Sequence, residues 1–339
     1  MTSKCLTLIF LLIIIYSNIN FAQLSARLNL EGGYYRSTSA GFAESGQNDA
    51  TVRIDGEAGY NYKDDSRLFS FKLRARPEVY GLHDNLKILK LKASGNYYFT
   101  RDNFTYGFNL TGQRNNYSGR DVDLTFHDFI FAFESLLAMG NNFSASANLG
   151  YGYQNVSENI NQKMDLLFFD AEILSDVFDN ARFGSGIYSE RFVLTGTYKT
   201  GGVNNKGWRI GPHISLNYLK AFLVNFDYRF LFHISEITKS PSYEHWIRFV
   251  AGKLLSENWS VFILTDYYFR KYTISKVLDN PYISLYTPIN EDNRIYLKIA
   301  YSLSDIFEIY IKTGYFRENL FNNYSFSGWN FLAGIEIEK

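Results

Sequence analysis

The sequence predicts an all-β chain, a transmembrane antiparallel up-and-down β-barrel of about 16 strands. Three observations predict it. Apolar and polar residues alternate over windows of about 11–15 residues, whereas strands of soluble proteins usually have about 5–6. Every second connection between these windows is short. The composition is 18% aromatic, with 27 Tyr and 30 Phe but only 5 Pro, so the turns are made from Asn, Asp, Gly and Ser.

The chain opens with a positively charged start (Met1–Lys4), the apolar run LTLIFLLIIIY over 6–16, and the polar stretch SNINFAQ. That is the layout of a secretory signal peptide over 1–22, too short for a membrane helix. Cys5, the only cysteine, precedes the apolar run, so it is not placed as a lipid anchor, and 23–339 carries no disulfide or thiolate metal site. Without Lys4 the charges are 33 basic against 34 acidic, which excludes a nucleic-acid binder on balance of charge. The segment 23–339 is then one barrel domain.

Strands are expected over 24–36, 50–63, 67–80, 86–100, 103–117, 120–134, 142–155, 163–174, 182–200, 207–220, 221–236, 243–254, 257–272, 293–303, 305–317 and 325–338. In 222–235 the even positions run Phe222, Val224, Phe226, Tyr228, Phe230, Phe232, Ile234, against Asn225, Asp227, Arg229, His233 and Ser235. Turning that strand over would put Asp227 and Arg229 into hydrocarbon, where an arginine costs about 2–4 kcal/mol. The even positions therefore face lipid. Short links fall at 63–66, 101–103, 255–258 and 303–305, and longer ones at 37–49, 155–162 and 273–292. Two segments read less cleanly: apolar parity switches between Phe126 and Phe129, as at a bulge or a misplaced strand, and a short helix in 160–190 would reduce the count to 14.

With the closing stretch GWNFLAGIEIEK (328–339) and aromatics such as Tyr60, Tyr97, Tyr153, Trp259 and Trp329 near strand ends, the chain resembles the outer-membrane β-barrel proteins of Gram-negative bacteria. The resemblance implies export, insertion by the barrel-assembly machinery, and contact with outer-membrane lipid. It names no subfamily, and Lys339 stands where such chains commonly end on an aromatic residue.

Lumen-facing charges are the candidate functional residues. Lys72, Arg74, Arg76, Lys90 and Lys92 form a basic patch on two adjacent strands. Arg53, Asp55, Glu57, Asp170, Glu172, Asp227, Arg229, Asp266, Arg270, Glu308 and Lys312 form mixed rows. A 16-stranded barrel is wide enough for water, so these rows would line a porin-like pore for small hydrophilic solutes. Alternatively they pair across strands and stabilise the wall. Phe262, Leu264, Tyr268, Tyr310 and Leu332, on the same face, would narrow the pore, stack on sugar rings or fill a closed interior. A non-conducting subunit of an envelope complex is the second reading, and a homo-oligomer is left open.

Two His-x-Ser triplets, His213/Ser215 and His233/Ser235, raise a third. His213–Ser215 resembles the dyad of outer-membrane phospholipases and lipid A deacylases, with Asp227 as a conceivable orienting acid. Those families place the dyad on the outer wall, whereas both pairs here face inward, so no enzyme is expected. The five histidines, His83, His127, His213, His233 and His245, show no paired ligand spacing, so neither metal nor cofactor is expected.

Overall fold

The computed structural model describes residues 22–40, 48–81, 86–119, 123–158, 161–178, 180–198, 201–274, 293–321 and 324–339. Among them are 16 strands: β1 (Ala22–Ala40), β2 (Asn48–Lys63), β3 (Arg67–Tyr80), β4 (Leu86–Arg101), β5 (Phe104–Ser118), β6 (Asp123–Ala138), β7 (Phe143–Glu158), β8 (Asn161–Phe178), β9 (Ala181–Tyr198), β10 (Gly201–Leu219), β11 (Leu223–Ser235), β12 (Thr238–Leu254), β13 (Trp259–Ile274), β14 (Arg294–Ser304), β15 (Phe307–Phe321) and β16 (Tyr324–Glu338). Each pairs antiparallel with its sequence neighbours, and β1 pairs with β16, so the sheet closes as an up-and-down barrel. Closure satisfies every strand without an edge, the condition for a sheet in hydrocarbon. The leader segment up to residue 21, His83 and most of the 273–292 link lie outside the described residues.

The outward face is apolar. Leu73, Phe108, Leu149, Ile263, Ile311 and Phe331 are all exposed, and Leu167 and Ile173 are 53% and 59% exposed. Exposed hydrophobics on this scale wrapping a closed sheet match lipid rather than water. Aromatic pairs such as Trp259–Tyr301 and Tyr315–Trp329, with centroids 5.0 and 5.6 Å apart, stand near strand ends.

Three expectations are corrected. The 160–190 region holds no helix among its described residues: β8 and β9 pair along nearly their whole lengths. The parity switch in 120–134 is no bulge, because β6 keeps unbroken register with both β5 and β7. Leu124 and Phe126 simply point inward on the same parity as Asp128, packing into an interior apolar cluster. The long 155–162 link contracts to two residues, because β7 and β8 pair out to Val156 and Gln162 and run on to Glu158 and from Asn161. Tight links also occur at the end opposite the short turns, as between β11 and β12. The two ends are called here the turn end, which carries both termini of the barrel, and the loop end.

Candidate functional site

The lumen is the candidate site. In its loop half, many inward side chains are buried. One apolar cluster joins Tyr35, Tyr80, Leu86, Ile88, Tyr117, Leu124, Val156 and Phe316, contributed by seven different strands. Tyr80 stacks on Phe316 with centroids 5.3 Å apart, although three strands separate β3 from β15. A second cluster holds Met164, Leu166 and Phe192 against Ile130 and Phe168. Leu332, Tyr268 and Tyr310 are also buried, so they fill the interior rather than line a wet wall.

Charges complete the packing. Arg53, on β2, meets Glu31 at 2.9 Å and Glu78 at 3.1 Å, and its guanidinium donates to the Tyr80 hydroxyl at 3.0 Å. Glu78 also takes Arg76 at 2.8 Å and Arg294 at 3.2 Å. The Arg294–Glu78 contact is a chord: β15, β16, β1 and β2 lie between its ends. At about 4.8 Å per strand, that is roughly 24 Å of wall spanned by two side chains. Lys312 reaches Glu31, which also accepts from the Tyr310 hydroxyl at 2.7 Å. On the other side, Arg209, 0% exposed, is held by Glu190 at 3.0 Å and Glu244 at 2.6 Å, and His233 meets Glu244 at 2.6 Å.

At mid-height His213 spans two carboxylates, Nδ1 at 3.0 Å from Asp170 and Nε2 at 2.7 Å from Asp227. Arg229 reaches Asp170 at 3.0 Å and lies over the rings of Tyr188 and Trp246. Trp246 donates to Asp266 at 3.1 Å, which Arg248 approaches at 3.6 Å.

Toward the turn end the lumen opens. Arg74 donates to Asp55 at 2.7 Å, Lys72 lies 3.5 Å from Glu57 with its side chain 52% exposed, and Lys298 bridges Glu308 and Glu336 at 2.6 and 3.0 Å. Lys90 and Lys92 stand opposite Arg76 and Arg74 on β4, and Arg270 stands opposite Glu244. Every candidate charge sits on an inward parity; within the basic patch, Lys72 and Arg74 meet Glu57 and Asp55 on β2, and Arg76 meets Glu78 on its own strand. A cavity of about 400 Å³ opens in the β6–β8 wall, lined among others by Tyr98, Glu134, Ser146, Asn148, Asp170 and Glu172.

Neither His-x-Ser triplet assembles a nucleophile. Ser215 donates to Glu172, while both nitrogens of His213 face carboxylates, leaving none for the hydroxyl proton. Ser235 pairs with Thr238 at 3.0 Å, and His233 with Glu244. Among the described residues no group of three His, Cys, Asp or Glu side chains is placed to hold a metal. Glu31, Glu190, Glu244 and Arg294 were not singled out in the sequence, although the parity of β1, β9, β12 and β14 marks each as inward.

No protein-family model matches the chain, and no curated protein does. Solved structures are similar in fold. The toluene transporter TodX of P. putida shares 10% identity, covering 95% of this chain and 90% of its own, with a TM-score of 0.39. CdiB from Acinetobacter baumannii shares 9%, over 93% of this chain and 60% of its own, at 0.47. The alcaligin outer-membrane receptor FauA from Bordetella pertussis shares 8%, over 94% and 76%, at 0.46. These TM-scores lie below 0.5, so the likenesses carry no argument about function, and the barrel class rests on the strand pairing itself.

Proposed function

We propose that the chain is an outer-membrane barrel for small hydrophilic solutes that is closed in the conformation described here. One observation carries the reading: the loop half of the lumen is packed by buried side chains, including the Arg294–Glu78 chord, while the turn half is open and polar. A general diffusion pore keeps its lumen charges in water. Here those of the packed half, such as Arg53, Glu78 and Arg294, are desolvated and paired, which favours a closed state over a standing aqueous path. Passage then requires the chord and the Tyr35–Tyr80–Phe316 rings to part. Catalysis is not part of this reading, because His213 and Ser215 each serve a carboxylate.

Uptake of a small sugar into liposomes carrying the refolded barrel tests the proposal. The native chain should admit it slowly, and Arg294→Ala combined with Phe316→Ala should speed entry. Rapid entry through the native chain would contradict the closed state. Tight vesicles with both proteins would favour a barrel that never conducts and serves an envelope complex instead.

A further inference from the structure

The inward carboxylates are not treated alike. Glu31, Glu78, Asp170, Glu190, Glu244 and Glu336 each lie against a base, and so do the other acidic residues of the mixed rows except Glu172. Asp128, Glu134 and Glu172 depart from this pattern. Their hydrogen-bond partners are neutral: Gln154 for Asp128, the Tyr98 hydroxyl for Glu134 and the Ser215 hydroxyl for Glu172. All three stand on β6 and β8, and two of them line the 400 Å³ cavity.

The register arranges the cavity. Glu134, Asn148 and Asp170 face one another in one lateral row across β6, β7 and β8, and Ser146 faces Glu172 in the next row toward the turn end. Facing residues in such a sheet lie about 4.5–5.5 Å apart. Oδ1 of Asn148 is buried and accepts no hydrogen bond. The cavity wall thus offers two carboxylates without a cation and one vacant carbonyl acceptor. Asp170 adds little charge, since His213 and Arg229 already hold it.

We infer that this cavity binds the ammonium group of a small organic cation entering from the turn end. Three features select that chemistry. The wall presents acceptors, so the ligand must donate. Two carboxylates left unneutralised in a partly desolvated wall favour a positive charge between them. The volume suits an organic molecule, being within the roughly 300–1,000 Å³ of ordinary small-molecule sites, and the carboxylates are spread over two rows of the wall rather than gathered about one point. The inference rests on the inward face of β6–β8 and holds whether or not the loop half ever opens.

Calorimetry on the refolded full chain in detergent micelles tests it, with 1,4-diaminobutane as probe, 1,4-butanediol as its neutral counterpart and Mg²⁺ as an inorganic cation. Saturable binding of the diamine, with none of the diol, is expected. Glu134→Gln with Glu172→Gln should weaken it about a hundredfold, roughly tenfold per charge-assisted contact, while Glu336→Gln leaves it unchanged. Heat-dependent gel migration checks folding of each variant; should the double variant misfold, Asn148→Leu, which replaces the vacant acceptor with an apolar group, must weaken binding about tenfold. Absence of saturable binding to the native chain, or equal affinity in the Gln variant, would overturn the inference. Displacement of the diamine by equimolar Mg²⁺ would overturn its assignment to an organic ammonium.

Discussion

Arg209 shows at a single residue how this lumen is built. Its guanidinium is buried between Glu190 on the adjacent β9 and Glu244 on β12, two strands away, and packs toward the Tyr268 ring at 5.9 Å. A buried ion cluster adds little net stability over an apolar one, yet removing one member leaves uncompensated charge. Arg209→Met should therefore cost about 3–5 kcal/mol of unfolding free energy in urea; an unchanged midpoint would mean that water reaches Glu190 and Glu244. A different residue sets the acid limit of a turn. Asp64, between β2 and β3, accepts from the backbone N–H of Ser66 at 2.9 Å and of Arg67 at 2.7 Å. These bonds, that of Ser66 first, hold its carboxyl below the ordinary carboxylate range. Its contribution is present above the unfolded value of about 3.9 and is lost as pH falls through the folded value. Asp64→Asn should flatten that part of the stability–pH curve, and an identical curve would contradict the assignment.

At the scale of elements, alternation is a good guide wherever one face meets lipid and the other meets polar groups. β11 and β13 are of that kind, and their inward Asp227, Arg229 and Asp266 stand where the sequence put them. The guide fails where both faces are apolar. In MDLLFF of β8, Met164, Leu166 and Phe168 pack inward while Leu167 and Phe169 face out, so the strand reads as an unpatterned run. Phe126 of β6 misleads for the same reason. Close approach between strands is likewise hidden from pattern: a Cβ at Gly211 would lie 1.9 Å from the carbonyl oxygen of Phe230 on β11. Gly211→Ala should push β10 from β11 and lower stability by about 1–3 kcal/mol, as overpacking does; a thermal midpoint equal to the native one would show that β10 has room to shift.

For the whole molecule, the sequence made the closed sheet and its inward and outward faces legible, because both follow from strand length and parity. It could not show which charges meet. Arg294 and Glu78 are 216 residues apart, and their contact depends on the cross-section of the barrel, which no local pattern encodes. The same holds for the Tyr35–Tyr80–Phe316 rings. Among the described residues these contacts pack the loop half of the lumen, while the turn half stays open. The carboxylates of Glu134 and Glu172 then face the open half, where a cationic solute could reach them without crossing that packing.

Single-channel recording of the refolded native chain in a planar bilayer tests the sealed lumen most directly. The native barrel should insert and stay silent at low voltage, and stable steps should appear once Arg294→Ala and Phe316→Ala remove the chord and the ring lid. Stable open steps from the native chain would contradict the closed lumen.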